Sequence, residues 1–163
     1  MNNDIQVRVK LPQNIQALVG EIGEKQVLLR LSILVHQTDW SVFHNLGEAG
    51  YDLLVMNSKT GERIRLEVKT RQKLYTTSKG KHQVQFFLTD GEHQVCDFLI
   101  AYYLDHNRFY IVPKNELRLV RVLDKVRWHF TLSVDEEGIP HKGKDEYLDA
   151  WGSLHPDFQY KET

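Results

Sequence analysis

Asp52, Glu67 and Lys69 are the residues whose types and order suggest chemistry. Glu67-Val68-Lys69 is the only acid-x-Lys tripeptide in the chain. Side chains two apart on a strand share a face, so an extended segment sets the Glu67 carboxylate beside the Lys69 ammonium. Asp52 follows Gly50-Tyr51 and opens an apolar run, Leu53-Leu54-Val55. If that run and the Lys69 segment form a hairpin, the start of the first strand lies near the end of the second. Asp52 then approaches Glu67 and Lys69, although 14 residues lie between the two acids. Two carboxylates at hydrogen-bonding distance repel unless a cation sits between them. Mg²⁺ suits such an oxygen donor set and keeps several waters. Lys69 on the same face can orient or help deprotonate a metal-bound water, and it can offset charge in a transition state. This is chemistry for hydrolysing a phosphodiester.

The elements that must position these groups are legible in the apolar spacing. Arg63 to Thr70 alternates, with Ile64, Leu66 and Val68 on one face and Arg63, Arg65, Glu67 and Lys69 on the other. Tyr51 to Met56 reads as the preceding strand, and Asn57-Ser58-Lys59-Thr60-Gly61 is turn chemistry that joins the two as a hairpin. Upstream, Ile15, Leu18, Val19 and Ile22, then Val27, Leu28, Leu31, Leu34 and Val35, carry helical spacing. The spacing predicts a helix from about Asn14 to His36, in one piece or in two broken near Gly20 and Gly23. Ile5, Val7 and Val9 alternate as a short strand before Pro12. Thr38 to His44, Val84 to Leu88, Asp97 to Leu104 and Phe109 to Val112 read as further strands. Arg118 to Trp128 fits either helix or strand, and Asp145 to Trp151 reads as a short terminal helix. Strands flanked by helices without strict alternation argue for an α/β domain with a mixed sheet.

Glu24 lies three and four residues before Val27 and Leu28, on the apolar side of the first helix. A carboxylate there is costly unless paired or metal-linked, which makes Glu24 a third candidate acid. Glu21 lies on nearly the same face and competes for that role. For both, the plain alternative is an acid favoured by the helix dipole.

The chain has 163 residues, 41% hydrophobic and 26% charged, which excludes disordered and fibrous classes. It has one cysteine, Cys96, so an internal disulfide and a multi-cysteine zinc site are both excluded. Cys96 sits in an apolar run and reads as a buried thiol. The eight histidines are scattered without ligand spacing. Without a signal-like N-terminus or an apolar run of membrane-spanning length, the expectation is a soluble, cytoplasmic protein with no membrane partner. The net charge is −1, yet Lys59 to His82 holds eight basic residues against two acids, +6. From Asp135 to Thr163 eight acids face three lysines, −5. The basic window suggests a local anionic partner. Arg71, Lys73, Lys79 and Lys81 follow the Lys69 strand directly and are candidate phosphate contacts, against the alternative of a solvated loop.

Gly50-Tyr51-Asp52 with Leu53-Leu54-Val55, followed by Leu66-Glu67-Val68-Lys69-Thr70, resembles the PD-(D/E)xK nuclease superfamily. Gly23-Glu24 resembles the helix glutamate that many members carry. Cys96 to Ile100 and Phe109 to Pro113 resemble the later strands of small endonuclease-like and Holliday-junction-resolvase-like members. The likeness covers roughly Glu21 to Leu117, and Tyr51 stands where the motif has proline. It implies a restriction-endonuclease-like fold, with a core of about 14–117 and a C-terminal extension of about 118–163 in a single domain. It implies a Mg²⁺-dependent endonuclease on DNA, with Mn²⁺ as a substitute and a homodimer as the working form. Asp52 and Glu67 would bind metal, Lys69 would be catalytic and Glu24 would assist.

Two other readings stand beside it. One is a non-catalytic nucleic-acid-binding protein on the same fold. The other is an interaction subunit that uses its acidic tail. Tyr75, Tyr102 and Tyr103 suit either base stacking or strand packing. Asp97 reads as a strand-start residue or, less directly, as a further metal ligand. Leu148 and Trp151 are expected to dock the terminal helix.

Overall fold

The computed structural model describes residues 11–47, 50–72 and 82–159. The strand read at Ile5 to Val9 and the loop carrying Lys73, Tyr75, Lys79 and Lys81 lie outside the described residues.

A single helix, α1 (Gln13–Leu34), runs unbroken through Gly20 and Gly23. It opens at Pro12, whose carbonyl accepts the amides of Ile15 and Gln16. Its buried stripe is Gly23, Val27, Leu31 and Leu34. The first half of the expected apolar stripe stays outside: Ile15, Leu18 and Ile22 are exposed. Gly23 is present because of what it faces. A Cβ there would land on Thr70 Oγ1, so only glycine lets α1 lie this close to the sheet.

The main sheet has the order β1 (Trp40–His44), β2 (Leu53–Asn57), β3 (Arg63–Arg71), β5 (Phe98–Tyr103), β6 (Arg108–Pro113). β2 and β3 form the expected antiparallel hairpin, with Leu53 opposite Leu66 and Val55 opposite Ile64. The Asn57 side chain accepts the amides of Lys59 and Thr60 and so closes the turn. β3 then runs parallel to β5, which makes the sheet mixed. The chain between them supplies β4 (Gln83–Thr89) and a short helix, α2 (Asp90–Val95). Thr89 and Glu92 form a capping box at the start of α2.

A second, antiparallel sheet has the order β4-β8-β7, with β7 (Arg118–Val122) and β8 (Lys125–Ser133) as a hairpin. This resolves the ambiguous stretch from Arg118 to Trp128. Its two-residue turn is Leu123-Asp124, and Leu123 takes a left-handed φ of 53°. A positive φ at the first of two turn residues usually advertises itself with glycine there, and this turn has leucine.

Two apolar cores result. Val27, Leu31, Leu66, Val68, Ile100 and Phe109 fill the space between α1 and one face of the main sheet, and Trp151 and Phe158 close it. Phe86, Leu88, Leu99, Tyr103, Tyr110 and Phe130 fill the space between the two sheets. The terminal helix expected at Asp145 to Trp151 is replaced by short 3₁₀ segments at Lys142–Tyr147, kinked at Lys144, and at Trp151–Ser153. The reason lies between them. Leu148 is pulled extended into a bridge with Tyr110, and Asp149 takes a φ of +49°.

Candidate active site

The site forms where β2 stops and β3 continues. The last ladder pair is Leu53 with Leu66, so the half of β3 from Glu67 to Arg71 has no β2 partner. Asp52 takes over from the missing strand. Its backbone amide donates to Leu66 O at 2.8 Å, and its Oδ2 accepts the Val68 amide at 2.7 Å. Continuing the register by one step puts Asp52 opposite Glu67, as the hairpin argument requires. Gly50, at φ +98°, lets this turn approach α2, because a Cβ there would press on Val95.

Glu67, Lys69 and Glu92 form a charged chain beside Asp52. Lys69 Nζ donates to Glu67 Oε1 at 2.6 Å and to Glu92 Oε1 at 2.9 Å. Glu92 is fixed from behind, since its Oε2 accepts the Thr89 amide at 2.8 Å. Glu67 is only 5% exposed. An acid this deep is held among charges, and its proton affinity records the strain. Burial, with the nearby Asp52 and Glu92 charges, pushes Glu67 up to about 7 against the pull of Lys69. Burial also raises Asp52, opposed by the Val68 amide and reinforced by the charge of Glu24. Lys69 is raised as well, but by its partners and against burial. Burial would lower it, but Glu67 and Glu92 together hold it above the ordinary lysine value. It is therefore a stable ammonium rather than a neutral amine. Burial would raise Glu92 too, but its bonds from Lys69 and the Thr89 amide keep it below the usual glutamate range.

Glu92 is the site residue that the sequence reading missed. Its signal was present: Thr89-Asp90-Gly91-Glu92 matches the capping-box pattern that opens a helix.

Glu24 and Glu21 separate clearly. Glu24 is half-buried and bonds His44 Nε2 at 2.8 Å, whereas Glu21 is exposed. Arg71 turns its donors onto backbone: Nε reaches Gln85 O at 3.2 Å and Nη1 reaches Thr70 O at 2.9 Å. Lys73, Lys79 and Lys81 lie outside the described residues. Asp97 accepts the Arg65 amide at 2.8 Å and pairs with its guanidinium, as a strand-start residue does. Tyr102 and Tyr103 are buried; Tyr102 stacks on Phe109 and Tyr103 donates to Gly138 O. Cys96 is a buried thiol. Among the described residues no three His, Cys, Asp or Glu side chains are grouped so as to hold a metal ion. Nor does any described helix have the length and apolar character to cross a membrane.

No protein-family model matches the chain, and no curated protein matches it. Solved structures do. That of a bacterial homing endonuclease, I-Ssp6803I, aligns with a TM-score of 0.53 at 17% identity, over 87% of this chain and 92% of that one. Hjc, a Holliday junction resolvase from the archaeal hyperthermophile Archaeoglobus fulgidus, aligns at 0.44 and 14%, over 66% and 81%. The first likeness spans both chains nearly end to end and agrees with the mixed sheet and its flanking helix. The chain has a restriction-endonuclease-like fold.

Proposed function

We propose that the chain is a metal-dependent endonuclease that hydrolyses phosphodiester bonds in DNA. The observation that carries this reading is the meeting of Asp52, Glu67 and Lys69 at the unpaired half of β3, in a fold shared with a homing endonuclease. Fold alone does not assign an activity, so the weight rests on these three residues.

The donor set suits a hard cation. It is made of carboxylate oxygens, and burial raises both groups, helped by the charges of Glu24 and Glu92 at Asp52 and by those of Asp52 and Glu92 at Glu67. A cation beside them relieves that repulsion, and the Lys69 ammonium already serves two of the acids in this way. Asp52 and Glu67 would hold Mg²⁺, or Mn²⁺ in its place. When bound, such an ion supplies a Lewis acid for the phosphate and a more acidic water. Lys69, kept charged by Glu67 and Glu92, offsets negative charge on the phosphate oxygens in the transition state. Its protonated state favours this role over that of a base. Glu92 keeps Lys69 extended toward Glu67, and Glu24 adds negative charge on the α1 side. Arg71, Lys73, Lys79 and Lys81 contact the DNA backbone. A homodimer brings one such site to each strand of a duplex.

Incubation with linear, supercoiled and branched DNA, with Mg²⁺ or Mn²⁺ and an EDTA control, tests the reading. Cleavage is expected only with metal. Lys69→Ala should lower it by roughly 10²–10³-fold or more, the range for losing one transition-state donor, while leaving the fold and most DNA affinity intact. A variant that cuts at the parental rate removes Lys69 from the mechanism. Replacing Arg71, Lys73, Lys79 and Lys81 by glutamine should flatten the log–log salt slope of binding by up to about 3 units. The alternative is a non-catalytic nucleic-acid-binding protein on the same fold. Salt-sensitive binding with no cleavage of any substrate would select that reading.

A further inference from the structure

The outward face of the second sheet carries positive charge without acids to match it. Register fixes which side chains share this face. Val84, Phe86 and Leu88 of β4 point into the core between the sheets, as do Phe130 and Leu132 of β8. Their neighbours Gln85 and Phe87, and Arg127, His129 and Thr131, therefore point outward. Pairing with β8 adds Arg118 opposite His129 and sets Lys125 at the end of the hairpin. Arg118 and Lys125 are exposed. Among the described residues, no carboxylate pairs with Arg118, Lys125 or Arg127. Glu116, two residues before Arg118, accepts from Tyr147, and Asp90, at the end of β4, accepts from Trp128 Nε1.

This face is joined to the candidate active site. Arg71 lies two residues past Lys69 on the same side of β3, and its guanidinium crosses to the free edge of β4 at Gln85. There it meets the Phe87 ring, 5.5 Å from the centroid, while Arg127 sits 4.4 Å from the same centroid. Two guanidiniums on one ring repel each other, and the ring's quadrupole offsets only part of that repulsion. Phe87 stacks in turn on His129. The histidine registers the field, because burial, Arg127 and Arg118 together hold it below the ordinary imidazole value. Its Nε2 is buried and has no hydrogen-bond partner among the described residues. A surface of cations gathered round one half-buried ring, with no carboxylate paired to them among the described residues, fits a polyanion whose charges are closely spaced.

We propose that the outward face of the second sheet, through Arg118, Lys125, Arg127 and Phe87, is where a DNA duplex lies as it leads to the Lys69 site, with Arg71 as the bridge. This rests on the DNA reading above and extends the binding surface beyond the basic window of Lys59 to His82.

The test is anisotropy titration of a fluorescent 30-base-pair duplex across a range of NaCl concentrations, in EDTA so that binding is read without cleavage. The proteins are the parent, Lys25→Gln at an exposed position of α1, and the double variant Arg118→Gln/Lys125→Gln. Both positions of the double variant are exposed, so it should fold, and circular dichroism checks this. The log–log salt slope should fall by up to about 2 units in the double variant, at about 0.9 per phosphate released. It should stay at the parental value in Lys25→Gln, because α1 packs on the opposite face of the main sheet from the second sheet. A parental slope in the double variant, with the parent binding normally, overturns the docking face and leaves the nuclease reading standing. No salt-dependent binding by the parent overturns both. Binding of polyglutamate that is lost in the double variant, without binding of DNA, assigns the face to an acidic protein and also overturns the proposal.

Discussion

The two faces of β3 share one backbone and one set of ladder bonds to β5, yet they do opposite things. Ile64, Leu66 and Val68 pack against α1 and have little to lose from water's absence, while Thr70 beside them faces Gly23. Arg65, Glu67, Lys69 and Arg71 alternate with them, and on this charged face Glu67 is buried while Lys69 and Arg71 are half-buried. Burial on the first face stabilises by removing apolar surface from water. Burial on the second takes ions out of water, and the Lys69 pairs with Glu67 and Glu92 offset this only in part. A strand that folded for stability alone would carry apolar residues at both sets of positions. The charged half coincides with the stretch that β2 leaves unpaired, which is where the nuclease reading puts the substrate.

The largest effect that sharpens this contrast is on the apolar face. Leu66 is 0% exposed, and Leu66→Ala should cost roughly 2–5 kcal/mol in unfolding free energy. Chemical denaturation reads it directly. The neighbouring Glu67→Gln should do the reverse: it removes a buried charge, so stability holds or rises while metal-supported cleavage is lost. Glu67 makes the effect pH-dependent, and the sign follows from its raised proton affinity. Between its unfolded value of 4.5 and its folded value of about 7, the folded chain keeps a proton that the unfolded chain has released. Raising the pH through that window therefore destabilises the parent. In metal-free buffer, the advantage of Glu67→Gln over the parent should grow from pH 4.5 to about 7. A difference that stays flat with pH means that Glu67 is solvated in solution and the contrast between the faces fails there.

Legibility divides along the same line. The alternation of β3, the hairpin and the Asp52–Glu67–Lys69 meeting were open to reading because each depends on local period and on one turn, Asn57 to Gly61. Glu24 could be named on its apolar stripe, but choosing it over Glu21 needed His44, which only the sheet brings near. The second sheet was illegible for a definite reason. Its hairpin turn, Leu123-Asp124, has leucine where glycine is usual, and β4 pairs with β8 from about forty residues away. Without that sheet the Arg127–Phe87–Arg71 cluster has no visible cause. The terminal helix misled because helical spacing from Asp145 competes with a tertiary bridge from Leu148 to Tyr110.

A smaller effect tests how α1 is held against the apolar face. Gly23→Ala places a methyl group on Thr70 Oγ1, an atom already buried without a hydrogen-bond partner among the described residues. Overpacking of this kind costs typically about 1–3 kcal/mol. Adding Thr70→Ala removes the hydroxyl in the way and should recover part of the loss. If Gly23→Ala costs nothing, the helix lies farther from the sheet, and Glu24 has no fixed place near Asp52.

The smallest effect belongs to the first half of the charged face, where Arg65 meets Asp97. Their side chains are 44% and 31% exposed, so water screens the pair. Such pairs contribute about 0–1 kcal/mol. Asp97→Asn keeps an oxygen for the Arg65 amide, which is the bond that fastens the start of β5 to β3. Stability should therefore fall by less than about 1 kcal/mol, and the metal dependence of cleavage should not move. The measurement that matters is the concentration of Mg²⁺ giving half-maximal cleavage. If Asp97→Asn raises it severalfold, Asp97 takes part in holding the ion. The boundary between the two halves of the charged face would then lie before Arg65 rather than at Glu67.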